Sequence, residues 1–149
     1  MAASTPDSDS NGDADDVRRG VVVMHDVREE IDRLQDTVLV AVADAGFDEA
    51  STFAVRLALE EAVANAFRHG NSEDPSKTVT VHYEVSPHRI DLAVEDEGPG
   101  FDPGAVPDPT EDANLEIPSG RGIMLMRAYM TSVEIVAPGN RIEMVFRRD

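Results

Sequence analysis

The sequence predicts a two-layer α/β sandwich, with helices on one face of a mixed, mainly antiparallel sheet. Three observations lead there. Segments with the two-residue alternation of strands and segments with the three- and four-residue spacing of helices follow one another in the order β-α-α-β-β-loop-α-β-β. The chain has 149 residues, the size of one domain, and its 41% hydrophobic residues supply one core but not two. Residues 78–85 and 90–95 are separated only by a turn at Ser86-Pro87-His88, and residues 132–137 and 141–147 only by Pro138-Gly139-Asn140, so both pairs read as hairpins.

Each element has its local reason. Residues 1–16 are small and polar, with Asp7, Asp9, Asp13, Asp15 and Asp16 and no base. Such a segment buries too little apolar surface to offset its ordering entropy, and a disordered tail is expected, with the domain over residues 17–149. Val21-Val22-Val23-Met24 reads as a short buried strand. Asp26, with Glu29 three residues on, has the pattern of a capping box. Ile31, Leu34, Val38, Val42 and Ala45 then form one apolar stripe, which Gly46 ends. A second helix starts at Asp48 or Ser51 and runs to His69, with Gly70 as its expected left-handed stop. After the first hairpin, Gly98-Pro99-Gly100 opens a stretch to Ser119 rich in Pro, Asp and Glu, with the length of a lid or binding loop. A third helix over residues 120–130 precedes the closing hairpin.

Composition narrows the function. The 30 acids against 13 bases give a net charge of -17. That surface repels phosphate backbones, which argues against direct nucleic-acid binding and favours basic partners. Without cysteine there are no disulfides, thiolate nucleophiles or cysteine-bound zinc. No run approaches the ~20 apolar residues of a membrane span, and residues 1–16 lack the apolar segment of a signal peptide. A cytoplasmic protein is expected.

Three motifs carry candidate chemistry. In the second helix, Glu61 and Asn65 stand four apart and share a face, while Glu60 points about 100° away. A carboxylate and a short amide among alanines suit a cleft holding a cation or a reacting hydroxyl; a solvent-facing glutamate beside a backbone-bonded asparagine is the alternative. After the first hairpin, a strand stops at Asp96 and breaks into Gly98-Pro99-Gly100. The glycines let backbone amides approach a ligand, and Asp96 can accept a hydrogen bond from an exocyclic amine; an ordinary turn uses the same residues. Finally, Ser119-Gly120-Arg121-Gly122 opens an apolar helix. Free amides and the helix dipole make an anion site there, with Arg121 able to fork to phosphate, although a plain N-cap at Ser119 is also possible.

Taken in order, these motifs resemble the GHKL ATPase superfamily and, more closely, the anti-sigma-factor serine kinases of the RsbW/SpoIIAB type. Glu61-x-x-x-Asn65-Ala66 with His69-Gly70-Asn71 resembles the N box, Asp96-x-Gly98-x-Gly100 the first glycine box, and Gly120-Arg121-Gly122 the second. The resemblance spans residues 17–148 and implies a Bergerat-type, histidine-kinase-like ATPase fold that binds ATP with Mg2+. It implies that Asn65 helps to hold magnesium, that Glu61 accepts the proton of a protein serine, and that Asp96 holds the adenine amino group. Gly98, Gly100, Gly120 and Gly122 would shape the pocket and lid, with Ser119 and Arg121 at the phosphates. It further implies a sigma factor and a STAS-type anti-sigma-factor antagonist as partners, and a possible homodimer in which the apolar face of the first helix could serve.

Three departures stand out. Residues 90–120 hold nine acids and no base, and Ile117-Pro118 replaces an arginine that relatives often place before the second glycine box. Arg141-Ile142-Glu143 occupies the region where relatives often carry an adenine-supporting threonine. These leave open a module that binds nucleotide and partner without useful phosphotransfer. His25-Asp26-Val27-Arg28 resembles the phosphoacceptor motif of histidine kinases only superficially, since it follows a strand-like run. His69, His82 and His88 lack metal-ligand spacing and are expected in turns or on the surface.

Overall fold

The computed structural model describes residues 17–100 and 120–148. The elements are β1 (Arg18–Met24), α1 (Arg28–Asp44), α2 (Glu49–Asn65), β2 (Val79–Val85), β3 (Arg89–Glu95), α3 (Gly120–Tyr129), β4 (Ser132–Val136) and β5 (Arg141–Arg147). The strands form one five-stranded sheet in the order β1-β2-β3-β5-β4. All four pairings are antiparallel, so the sheet is more uniform than the mixed one expected. The acidic tail and the stretch from residue 101 to Ser119 lie outside the described residues.

The helical layer follows from the apolar stripes. Val38 and Val42 of α1 and Val55, Ala58, Leu59 and Ala62 of α2 are buried against Val79, Val81, Ile90, Leu92 and Met144 of the sheet. α3 packs chiefly on α2. The other sheet face carries Arg19, His82, Glu84, Asp91 and Glu143, which alternate with the core positions as a half-buried antiparallel sheet requires.

Two local expectations give way to tertiary geometry. The N-cap of α1 is Val27, without a side-chain cap, rather than Asp26. Glu30, not Glu29, folds back, and its carboxylate accepts the backbone N–H of His25 at 2.7 Å. The end of α2 also differs. Beyond Asn65 the chain widens into a π-turn over Ala66–Gly70, and Gly70 is not left-handed. The left-handed residues are Ser72 (φ 54°) and Glu73 (φ 59°), two and three positions further on. Gly70 is needed for another reason: a Cβ there would collide with the Asp96 carboxylate.

Arg148 closes the end of the sheet. Its guanidinium donates to the carbonyls of Pro87 (2.7 Å), Gly46 (3.0 Å) and Ala45 (2.9 Å) and lies 4.1 Å from the Phe47 ring centroid. One side chain thus satisfies carbonyls after the C-terminus of α1 and ties them to the β2–β3 turn.

Candidate nucleotide site

A narrow cavity of about 110 Å³ opens where the end of α2, the exit of β3 and the β4–β5 turn converge. Ala62, Asn65, Ala66 and His69 line one side, Val94 and Asp96 another, and Gly139, Asn140 and Ile142 the third. Pro99 and Gly100 form the rim. An apolar slot with a few converging polar groups is the usual form of a small-ligand site.

Asp96 is the best-fixed polar group. Its N–H donates to the Asn140 carbonyl at 2.9 Å, and the Asn140 amide donates back to the Asp96 carbonyl at 3.1 Å. Its Oδ1 accepts the Gly98 N–H at 2.7 Å. Burial pushes the Asp96 carboxyl above the usual carboxylate range and the neighbouring Glu95 charge adds to this, while the Gly98 N–H and Lys77 work against it. A carboxylate kept in a costly place, with its backbone pinned on both sides, is suited to hold a donor from a ligand.

The glycines fit by close approach. A Cβ on Gly98 would strike the Gly70 carbonyl, and one on Gly100 the Pro138 carbonyl. Gly100 also has a φ of 86°. The loop leaving β3 therefore rests backbone-to-backbone on the end of α2 and on the β4–β5 turn, as only glycine permits.

Asn71 holds this arrangement from behind. It is fully buried, its Oδ1 accepts the Glu97 N–H at 2.8 Å, and its Nδ2 donates to the Thr78 carbonyl at 3.0 Å. Glu97 returns the contact by accepting Thr78 N–H at 2.6 Å and Thr78 Oγ1–H at 2.8 Å. Asn71 is thus a brace between the two loops.

The expected site residues divide clearly. Asn65, Asp96 and Gly100 meet at the cavity, and Gly98 supports it through Gly70. Glu61, one turn before Asn65, is partly exposed and does not line the cavity. Gly120, Arg121 and Gly122 begin α3, and Gly122 is buried and is not among the described lining residues; Ser119 lies outside the described residues. His69, expected in a turn or on the surface, lines the cavity instead, and burial followed by the charge of Arg68 lowers its pKa. The Asn140 and Asn71 braces were not anticipated either.

The Asn65 Nδ2 atom is buried without a hydrogen-bond partner among the described residues. An orphaned amide beside a cavity fits a missing ligand, and a half-turn of the amide would present its oxygen, a hard donor suited to magnesium. Among the described residues no group of three or more His, Asp or Glu could hold a metal ion. A cation at Asn65 would therefore draw most of its ligands from phosphate oxygens and water, as magnesium commonly does.

A family model described as "Histidine kinase-like ATPase domain" matches residues 24–146. The chain is also similar to "Anti-sigma F factor" of Clostridium perfringens strain SM101, 30% identical over 112 residues that cover 73% of this chain and 78% of the relative. The protein of that name from Anoxybacillus flavithermus strain WK1 is 30% identical over 123 residues, covering 78% and 82%. The chain belongs to the histidine kinase-like ATPase family, as a member of its RsbW/SpoIIAB-like anti-sigma branch. No helix among the described residues is long and apolar enough to cross a membrane.

Proposed function

We propose that this protein is a cytoplasmic anti-sigma regulator that binds ATP with magnesium, phosphorylates a serine of a STAS-type anti-sigma-factor antagonist, and sequesters a sigma factor. The observation that carries the nucleotide half is the pinned Asp96 carboxylate in a slot that also holds the orphaned Asn65 amide. The names of the relatives support the partner half.

In this reading, Asp96 accepts a hydrogen bond from the adenine amino group, and the apolar walls from Ala62, Val94 and Ile142 hold the ring. Asn65 supplies an amide oxygen to the cation. A magnesium ion held there would supply positive charge that offsets the charge of the phosphates. The resemblance assigns Ser119, Gly120, Arg121 and Gly122 to the phosphate end. Glu61, partly exposed outside the cavity lining, receives the serine proton as the new P–O bond forms and the bond to ADP breaks.

The position of Glu61 outside the lining also favours a second reading, a nucleotide-controlled binding module without useful transfer. Phosphorylation of a cognate antagonist at saturating Mg-ATP, measured beside nucleotide binding, separates the two. Glu61→Ala should retain affinity and lose transfer by ~10²–10⁴. Asn65→Ala should lose magnesium-dependent binding itself. Absence of transfer by the unaltered protein selects the module, and transfer that survives Glu61→Ala removes this glutamate as the base.

A further inference from the structure

The open face of the sheet, away from the helices, holds a shallow hollow of about 630 Å³. Most charges around it are paired. Arg19 meets Glu84 at 3.3 Å, Arg89 meets Asp91 at 2.9 Å, and Arg141 meets Glu95 at 3.1 Å and Glu143 at 2.9 Å. Arg147 has no acidic partner among the described residues. It stands directly across the β3–β5 ladder from Arg89. Opposed residues of an antiparallel pair share a face, and like charges there repel. One end of the open face therefore carries excess positive charge, on a chain whose net charge is -17. The chain enters the sheet at this same end. Arg18, the first residue of β1, is level with Val85, Ile90 and Phe146, and the next row out holds Arg89 and Arg147. Two and three lanes of sheet put β3 and β5 roughly 10 and 14 Å from β1. Four extended residues span about 13 Å, so Asp13, Asp15 and Asp16 fall within reach of both arginines.

We propose that the acidic segment preceding β1 folds back over the open face of the sheet, with Asp13, Asp15 and Asp16 set against Arg89 and Arg147. Charge selects this occupant, since residues 1–16 hold five Asp and no base. Tethering beside the arginine row gives the segment a local concentration that a free acidic ligand would have to exceed. Glu134 and Glu143 face each other further along the β4–β5 ladder. They repel the segment and confine it to the arginine end. The strap thus closes the open face to acidic ligands, and a basic partner that takes the aspartates uncovers the arginines again. The nucleotide cavity lies on the helical side, where Val94 and Ile142 line it, so the strap leaves it untouched. The inference is independent of any phosphotransfer activity.

A spin label tests it on the full chain. The chain has no cysteine, so Ser10→Cys gives a single attachment point for a nitroxide. At low salt the amide resonances of Arg89, Asp91, Ser132 and Arg147 should lose intensity, and those of Glu60 and Ala64 on the outer side of α2 should keep it. Exposed ion pairs are weak and screened, so the loss should disappear at 1 M salt, where the screening length falls to about 3 Å. Arg147→Glu, at an exposed position, should abolish the loss at low salt. Combining it with Asp13→Lys, Asp15→Lys and Asp16→Lys should restore it. Circular dichroism and thermal melting confirm that each variant is folded. Equal intensity loss on both faces overturns the proposal, as does a loss indifferent to Arg147→Glu. A loss that appears on unlabelled chains mixed with spin-labelled ones overturns it too, because the segment then lies on a second copy.

Discussion

Replacing Asp96 by asparagine should move two measurable quantities in opposite directions. The amide is nearly the same size and keeps an oxygen for the Gly98 N–H, now 2.7 Å away. What disappears is a charge that burial makes costly. The folded-state pKa of Asp96 lies above the unfolded value, so its favourable contribution is complete below the ordinary carboxylate range and is lost as pH rises through the elevated folded pKa. At neutral pH the ionised group therefore burdens the ligand-free fold, and Asp96→Asn should melt higher than the unaltered protein. That advantage should vanish in acid. Adenine-nucleotide affinity should move the other way. A charged hydrogen bond is worth about 1.5–3 kcal/mol, a loss of roughly 10- to 150-fold. The unaltered protein should also bind more weakly as pH falls through the raised Asp96 pKa, and the variant should lack that component. Calorimetric titration with ATP and ADP, beside melting curves at neutral and acid pH, measures both. Unchanged affinity in the variant would refute the adenine assignment, and a variant less stable at neutral pH would refute the burial argument.

Three further substitutions probe the frame around the cavity. Gly98→Ala drives a methyl into the Gly70 carbonyl and should cost about 1–3 kcal/mol in denaturant unfolding while weakening nucleotide binding. Asn71→Ala strands the Glu97 N–H and the Thr78 carbonyl and should cost about 1–3 kcal/mol; Asn71→Asp keeps the acceptor but sets a carboxylate against that carbonyl, so it should not rescue stability. Arg148→Ala removes the clamp on Ala45, Gly46 and Pro87 and should lower the melting temperature with nucleotide affinity unchanged, because none of these residues lines the cavity.

The sequence made the element order and the two hairpins legible because period and turn chemistry are local signals. Asn65, Asp96, Gly98 and Gly100 were legible through their order along the chain, and they are the ones that meet at or support the cavity. What escaped was set by contacts between distant segments. Gly70 looks like a helix stop in isolation, yet its role is to admit the Asp96 carboxylate, 26 positions away along the chain. Asn71 resembles a loop residue until the Glu97 and Thr78 backbones close around it. Asn140 belongs to a turn in the sequence and to the cavity wall in space. Asp26 and Glu29 satisfy the capping-box pattern, but the strand leaving Met24 delivers His25 N–H to Glu30 instead. His69 gave no sign of facing inward, because that depends on the π-turn that follows Asn65.

The place of β5 has a consequence for how the molecule is born. It follows every other strand along the chain, yet it occupies an interior lane between β3 and β4. Ribosomes deliver residues in order, so β3 must wait with one side unpaired, and β4 emerges before its sole neighbour exists. The cavity waits too, since Gly139, Asn140 and Ile142 complete its wall. A nascent chain can thus lay down α1, α2 and three strands early, but it cannot hold a ligand in this slot until synthesis has passed Ile142.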